Sequence, residues 1–279
     1  MKKYFILSLL LFVSLQYTHS QTIDFMTYNI KYDNPNDGEN SWDKRTTEME
    51  GLLQKYHPQV IGTQEGLYHQ LEYLDSNLVN YTYFGVGRTD GKMNGEYTAI
   101  FYDSTLLSVI IEKTFWLSES GDTGSVGWDA ALERICTFGL FEMKKSKQKF
   151  WVFNAHFDHV GETARTMSAE LILKKIKEVN SENFPVIMMG DLNSEPGSQA
   201  IQLINSQLQD GRSISEETPT GPFGTFNDFK TEVTEEKRID YIFVSGFKVV
   251  SYKHIDDRKK NGLQVSDHYP VLMKAEFKP

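Results

Sequence analysis

The sequence predicts an α/β protein in which two β-sheets pack face to face and helices cover the outside. Three observations support this prediction. Segments typical of strands outnumber those typical of helices, several of the strands follow one another directly, and amphipathic helical segments recur between them. A mixture of this kind is typical of a layered α/β sandwich.

A single domain is expected to follow a short leader segment. The chain has 279 residues, of which 39% are hydrophobic and 24% are charged. Eight prolines, no low-complexity tract and no repeat of fixed period leave no obvious linker. We therefore expect one continuous core within residues 21–279, because a chain of this length is able to enclose a large one.

Residues 1–20 have the pattern of a secretory signal peptide. Lys2 and Lys3 form a basic start, an apolar run follows to Leu15, and small or polar residues precede Gln21. The apolar run is too short to favour a membrane-spanning anchor. We expect an exported protein, periplasmic or extracellular, without stable membrane insertion.

The charge of the chain limits the class of substrate. Removal of residues 1–20 takes away two lysines and no acid, so the formal charge changes from −9 to −11. Surfaces that bind polyanions normally carry a basic excess. The acidity argues against tight binding of long nucleic acid, but it allows a small phosphorylated substrate held by a metal and a few arginines. Cys136, the single cysteine, is expected to be a buried small hydrophobe.

The first half of the chain alternates strands and helices. "TIDFMTYNI" is an alternating strand that ends at Asn29, and residues 41–58 have helical periodicity. "QVIGTQE" is a short apolar strand that ends at Glu65, and residues 67–78 are helical again. Three strands follow, "YTYFGVG", "YTAIFYD" and "LLSVIIEKTFWLS".

The second half begins with a predicted hairpin. "ICTFGLFEMKK" and "KFWVFNAHF" are strands joined around residues 144–148. Residues 161–179 form a predicted helix, "PVIMMGD" a buried strand, and residues 197–204 a short helix. The strands "RIDYIFVSG", "FKVVSYKHI" and "DHYPVLMKAEF" complete the chain.

"VIMMGDLNSEP" carries polar groups at the tip of its buried strand. Because side chains alternate along a strand, Asp191 and Asn193 share a side and Leu192 points away. Strand tips are where α/β proteins usually place their sites. Asp and Asn also form turns, however, so this segment alone allows either interpretation.

Polar residues end six strands in the same way, and together they favour one chemistry. Each has an ordinary explanation as a cap, a turn or a core histidine, but six acidic, amide or histidine ends in one chain are hard to obtain by accident. Carboxylate and amide oxygens favour Mg²⁺ or Mn²⁺, and histidines beside carboxylates supply acid–base groups. This combination indicates metal-assisted phosphoester hydrolysis. The six ends are Asn29, Glu65, His156 with Asp158, Asp191 with Asn193, Asp240, and Asp267 with His268.

Seven motifs in order resemble the endonuclease/exonuclease/phosphatase superfamily over residues 23–277. They are "MTYNIKYD", "GTQEG", "GEYTAIFY", "NAHFDH", "MGDLNSEP", "RIDYIF" and "SDHYPV". The resemblance implies a four-layer α/β/β/α sandwich of two mixed sheets, as in deoxyribonuclease I. It also implies a metal-dependent hydrolase that acts on phosphoester bonds.

The resemblance assigns five residues to the metal and the phosphate. Asn29, Glu65 and Asp267 correspond to the metal-binding residues, with Mg²⁺ or Mn²⁺ as the cofactor. Asp191 and Asn193 correspond to the groups that hold the phosphoryl oxygens and the nucleophile in line.

It assigns five more to acid–base chemistry and phosphate contact. His268 resembles the general base that activates water, and Asp240 the carboxylate that orients it. His156 resembles the second histidine, which contacts the phosphate, and Glu96 the acid that pairs with it. Arg134 stands where nuclease members carry a phosphate-contacting arginine, although a surface salt bridge is the alternative.

The expected function is that of an exported Mg²⁺-dependent phosphodiesterase acting on a small or medium-sized substrate through a histidine-activated water. The alternatives are a secreted nuclease and a phosphatase similar to sphingomyelinases or inositol phosphatases. A non-catalytic binding module is expected to lack His156, His268 or Asp191, and all three are present. Loops 115–134 and 221–229 do not resemble the substrate loops of nucleases or of inositol phosphatases. The substrate therefore stays open among small molecules, glycans, lipids and nucleic acids, and we expect a monomer.

Overall fold

The computed structural model describes residues 22–278. The predicted signal peptide, residues 1–20, lies outside the described residues. Among residues 22–278, no helix combines the length and the apolar character needed to cross a bilayer.

Twelve strands and five α-helices are formed by the described residues. The strands are β1 (Thr22–Asn29), β2 (Val60–Gln64), β3 (Tyr81–Phe84), β4 (Ile100–Asp103), β5 (Leu107–Trp116), β6 (Ile135–Met143), β7 (Lys149–His156), β8 (Val186–Asp191), β9 (Gln209–Asp210), β10 (Asp240–Ser245), β11 (Phe247–His254) and β12 (Val271–Phe277). The helices are α1 (Thr46–Tyr56), α2 (Tyr68–Asn77), α3 (Glu162–Val179), α4 (Gln199–Asn205) and α5 (Gly211–Ile214).

The strands form two six-stranded sheets, each with parallel and antiparallel neighbours. The first sheet has the order β11-β12-β1-β2-β4-β3, and the second has the order β5-β6-β7-β8-β10-β9. In the first, β1 and β2 are parallel. In the second, β7 and β8 are parallel, whereas β8 and β10 are antiparallel. The predicted fold class, a sandwich of two mixed sheets, is confirmed.

Three apolar layers hold the sandwich together, and the period-two alternation of the strands produces them. In β1, Phe25 faces the space between the sheets, whereas Met26 faces α1 and α2. In β8, Met189 faces the same inner space, whereas Met188 faces α3 and α4. Strands that bury both faces have no polar alternation, which explains the continuous apolar run before Asp191.

The first helix begins later than its periodicity predicts. Helical periodicity extends over residues 41–58, but α1 begins at Thr46 after a short 3-10 turn, Trp42–Lys44. The cause is Arg45, whose fully buried guanidinium donates to the carbonyl oxygens of Ile30 and Asn40. Its backbone, with φ −135° and ψ −1°, is therefore not helical.

Strand register places three of the expected site residues side by side. Asp191, the last residue of β8, lies opposite His156 of β7 and opposite Asp240 of β10. In the first sheet, Asn29 at the end of β1 lies opposite Gln64, and Glu65 follows directly. These strand ends lie together at one edge of the sandwich.

Gly190 allows β7 and β8 to approach each other just before Asp191. Its φ is +146°, and a Cβ atom there would lie 1.9 Å from the carbonyl oxygen of Ala155. We expect Gly190→Ala to lower the free energy of unfolding by about 3 kcal/mol or more, because backbone atoms of a central strand must move. Urea denaturation measures the change.

Gly51 provides the matched control for this substitution. It lies on the exposed face of α1, and an added Cβ atom would meet nothing within 4 Å. Gly51→Ala should therefore stabilise the protein by about 0.5–1 kcal/mol, because alanine has the higher helix propensity. Equal effects of the two substitutions would contradict the steric argument.

Candidate active site

A crevice of about 740 Å³ opens at the edge of the sandwich where the polar strand ends meet. Eight of the ten residues expected from the sequence line it, namely Glu65, Glu96, Arg134, His156, Asp191, Asn193, Asp267 and His268. The other two, Asn29 and Asp240, lie directly behind this wall and contact its residues. The structure thus brings together all ten side chains that the sequence analysis singled out.

Asn29 connects the two sheets at the floor of the crevice. Its side-chain Nδ2 donates to Glu65 Oε1 at 3.0 Å and to Asp191 Oδ2 at 3.0 Å, and it lies 3.5 Å from His268 Nε2. Its Oδ1 accepts a hydrogen bond from the backbone N–H of Lys31 at 3.0 Å. Asn29 therefore holds two carboxylates in fixed positions, which a metal site requires of its supporting groups.

Two residues with left-handed backbone face each other at the ends of β1 and β2. Lys31 has φ +57° and Glu65 has φ +64°, and this conformation is rare for residues other than glycine. The Lys31 ammonium lies 3.6 Å from Glu65 Oε2 and 3.2 Å from Asp267 Oδ2. Lys31 was not among the residues expected from the sequence, because nothing in the local pattern indicates the position of its ammonium.

His268 is oriented by Asp240. Its Nδ1 lies 2.8 Å from Asp240 Oδ2 and donates to it, so that Nε2 faces Asp191 Oδ2 at 3.7 Å. Asp240 is itself positioned by a backbone hydrogen bond to Thr225 Oγ1. Burial alone would lower the pKa of His268, but the negative charges of Asp240 and Asp191 outweigh it and raise the pKa to about 10.

His156 lies on the opposite side of Asp191 in a different electrostatic environment. Its Nε2 is 3.6 Å from Asp191 Oδ2, and its Nδ1 is 3.9 Å from Glu96 Oε2. Burial, followed by the positive charges of Arg134 and Arg88, lowers the pKa of His156 well below its ordinary value of 6.5. In the metal-free crevice, His268 therefore holds a proton that His156 lacks.

Glu96 is held against His156 by an arginine. Arg88 donates to both carboxylate oxygens of Glu96, at 2.7 and 2.8 Å, in a bidentate pair. Burial nevertheless raises the pKa of Glu96 to about 7. Trp116 fixes the loop that carries Arg88, because its indole N–H donates to the Arg88 carbonyl oxygen at 2.7 Å.

Asp191 and Asn193 both reach the crevice, whereas Leu192 packs in the outer apolar layer. Asp191 Oδ1 accepts the backbone N–H of Asn193 at 3.0 Å, and Asn193 Nδ2 donates to the Phe157 carbonyl oxygen at 3.0 Å. Burial and the charge of Asp240 raise the pKa of Asp191 to about 7. The strand tip is both a turn and a wall of the crevice.

Arg134 forms a buried ion pair and not a surface one. Its Nε lies 3.2 Å from Asp158 Oδ2, and its Nη2 donates to His159 Nδ1 at 2.9 Å. Asp158 also accepts the backbone N–H groups of Val160 and Gly161, at the beginning of α3. Asp158 therefore fixes the turn that leads into α3 and positions Arg134 at the crevice wall.

Two overlapping groups of side chains are able to hold a divalent cation. One ligand atom each from Glu65, His156 and Asp191 lies within 4.8 Å of the others, and the same is true of Asp191, Asp240 and His268. Asp267, which the resemblance implied as a ligand, is in neither group. The Lys31 ammonium lies between its carboxylate and that of Glu65. Oxygen and imidazole donors suit a divalent cation, and an ammonium already lies between two of the carboxylates. The donor set therefore fits such an ion.

Comparisons with known proteins agree with this geometry. A sequence profile described as the Endonuclease/Exonuclease/phosphatase family matches residues 26–268. An endonuclease/exonuclease/phosphatase family protein from Bacteroides thetaiotaomicron is 35% identical, with a TM-score of 0.89 over 93% of this chain and 99% of that one.

Two further relatives extend the comparison. A mannosyl-6-phosphatase from the same bacterium is 36% identical, with a TM-score of 0.88 over 91% of this chain and all of that one. An uncharacterised protein of Acanthamoeba polyphaga mimivirus is 27% identical over 250 residues, which are 84% of this chain and 92% of the relative.

Asp158 should contribute to stability in a pH-dependent way. Burial alone would raise its pKa, but the N–H groups of Gly161 and Val160 and the charge of Arg134 lower it from 3.8 to about 2. A lowered pKa stabilises the folded state above pH 4, and this stabilisation disappears as the pH falls towards 2. We expect Asp158→Asn to cost about 2 kcal/mol at pH 7 and progressively less below pH 4.

Urea denaturation at pH 7, 5 and 3 checks this expectation. Asp256→Asn, which changes an exposed carboxylate, serves as the control and should leave stability nearly unchanged at every pH. A cost for Asp158→Asn that stays the same from pH 7 to pH 3 would contradict the electrostatic origin.

Proposed function

The chain belongs to the endonuclease/exonuclease/phosphatase family, and from this premise we propose that it hydrolyses phosphate monoesters of small carbohydrates with the help of a divalent cation. The observation that carries the proposal is the position of Asp191 between two histidines, 3.6 Å from His156 and 3.7 Å from His268. An acid–base pair on opposite sides of a carboxylate is suited to a phosphoryl group bound between them.

His268 serves as the base in this proposal, and Asp240 orients it. The hydrogen bond from Nδ1 to Asp240 leaves Nε2 facing the crevice, where a water is able to approach it. The raised pKa means that the proton on Nε2 must first be lost. Glu65 and Asp191, supported by Asn29 and Asp267, would hold the cation, which when bound supplies charge that offsets the phosphoryl oxygens and opposes a proton on His268.

His156 contacts the phosphate and, as the general acid, donates a proton to the leaving oxygen. In the free crevice it is neutral, because burial and the nearby guanidinium groups disfavour its charged form. A phosphate dianion beside His156 has the opposite effect and favours the imidazolium. Substrate and cation binding thus reverse the protonation of the two histidines, which explains why the reaction needs both.

Two observations support a carbohydrate ester. A relative that is 36% identical over nearly the whole chain is named as a mannosyl-6-phosphatase. The crevice wall beyond the histidines also carries Thr166, Ser198 and Gln199, whose uncharged polar groups suit sugar hydroxyls, together with Glu162 and Glu195. The sequence predicted a diester, but the phosphatase relative favours a monoester, and the net charge of −9 disfavours nucleic acid.

The proposal also includes Mg²⁺ as the cation. It further includes export directed by residues 1–20 and a monomeric state. Oxygen-rich donor sets with few protein ligands favour Mg²⁺. The basic and apolar pattern of residues 1–20 supports export.

The substrate class is tested by steady-state assays on purified protein without residues 1–20. We expect mannose 6-phosphate or a mannosyl 6-phosphate glycan to be hydrolysed with a kcat/KM at least about 10² times that for bis-p-nitrophenyl phosphate or DNA. EDTA should abolish turnover, and added Mg²⁺ should restore it. Preference for the diester or for DNA would refute the carbohydrate assignment, and inactivity on every phosphoester with Mg²⁺ would refute the reaction.

The role of His268 is tested by His268→Asn, which retains a donor for Asp240. We expect kcat on the preferred substrate to fall by about 10²–10⁴ while the thermal midpoint changes little, because a general base contributes that much. His69→Ala is the control, because His69 is exposed and pairs with Asp33. Near-normal kcat for His268→Asn would show that another group is the base.

A further inference from the structure

Lys31 occupies the place of a cation at the rim of the crevice. Its ammonium contacts two carboxylates at once, Asp267 Oδ2 at 3.2 Å and Glu65 Oε2 at 3.6 Å. Asp267 is buried, and the Glu65 side chain is only 13% exposed. Two carboxylates so close together and so poorly hydrated repel each other strongly unless a positive charge lies between them.

The backbone of Lys31 is fixed while its side chain is able to move. Its N–H donates to Asn29 Oδ1, and its carbonyl oxygen accepts from Arg45 Nη2 at 2.8 Å and from Gln70 Nε2 at 3.0 Å. Arg45 and Gln70 are both fully buried. The side chain, in contrast, is 21% exposed, and a flexible chain of four carbons carries its ammonium.

The Lys31 ammonium also lies near an aromatic ring while it contacts the two carboxylates. Lys31 Nζ is 4.8 Å from the centre of the Tyr32 ring, and both residues line the crevice. The ammonium therefore has a cation–π contact in addition to its two ion pairs, and its side chain, which is 21% exposed, has access to water when a cation takes its place.

The charges around Lys31 favour competition between the ammonium and a divalent cation. With Lys31 in place, the pair Glu65 and Asp267 carries one net negative charge. A cation held by Glu65 and Asp191 would share the Glu65 carboxylate with the ammonium, so it would add two positive charges beside the one that Lys31 already places there. Two cations against the same oxygens repel each other, so binding of one favours departure of the other.

We propose that Lys31 is an internal counter-ion of the metal site: it neutralises Glu65 and Asp267 in the metal-free protein, and a divalent cation must displace it in order to bind. Lys31 therefore stabilises the empty site and weakens its affinity for metal. The inference rests on cation binding in the crevice and not on the identity of the ester that is hydrolysed.

The test compares Lys31→Met with the parent protein in the absence of substrate. Methionine keeps much of the length of the side chain and removes its charge. Titration calorimetry with Mn²⁺ should show binding at least about tenfold tighter for Lys31→Met, because the competitor is gone. Without metal, the thermal midpoint of the variant should be several degrees below that of the parent, and saturating Mn²⁺ should raise it by more than it raises the parent's.

Lys237→Met is the matched control. Lys237 also lies at the crevice wall, but its ammonium pairs with the exposed Glu235, at 3.9 Å. Loss of this lysine removes the same charge from the surroundings without touching Glu65 or Asp267. The affinity for Mn²⁺ should change less than about twofold, because exposed charges are well screened.

For Lys31→Met, the thermal midpoint without metal should fall, whereas the affinity for Mn²⁺ should rise. These opposite changes distinguish the proposed role from a purely structural one. A residue that merely supported the fold would lower both the stability and the metal affinity when it is removed. Weaker or unchanged Mn²⁺ binding by Lys31→Met would overturn the inference. Tighter binding without hydrolysis of any sugar phosphate would leave the inference intact and refute only the proposed substrate.

Discussion

The structure depends on the confinement of negative charge in one poorly hydrated crevice. Glu65, Asp191, Asp240 and Asp267 converge at the edge of the sandwich, where burial of like charges is costly. The Asn29 amide connects two of them, and His268 lies among the other acidic groups. An arrangement that concentrates so much negative charge is suited to attract a divalent cation, and this property makes the chemistry of the family possible.

Contacts in the surrounding fold hold the carboxylates in place against their mutual repulsion. The fully buried Arg45 guanidinium donates to the carbonyl oxygens of Ile30, Lys31 and Val265, and thereby ties the end of β1 to the segment before Asp267. In the second sheet, strand register alone fixes Asp191 beside its neighbours in β7 and β10. Each sheet thus contributes a rigid half of the crevice, and polar side chains join the halves.

The two histidines illustrate how one crevice gives the same residue type two different properties. Carboxylates favour the charged form of His268, whereas burial and the charges of Arg134 and Arg88 disfavour the charged form of His156, although Asp191 and Glu96 lie near it. Arginines near one histidine and carboxylates near the other therefore give the two residues different charges. Asp158 lies beside the arginines, because it holds Arg134 while it fixes the turn before α3.

Local sequence determined the layered fold and most of the site, because the alternation of side chains along a strand and the polar residue at each strand end are short-range properties. Helix boundaries shifted where a distant partner intervened, as at Arg45 before α1. Only the tertiary structure decided that Lys31 lies between Glu65 and Asp267, that Arg88 holds Glu96, and that Arg134 is buried with Asp158. Arg88 and Glu96 meet within one loop between β3 and β4, whereas the partners of Lys31 and Arg134 are distant in sequence and meet only when the strands pair.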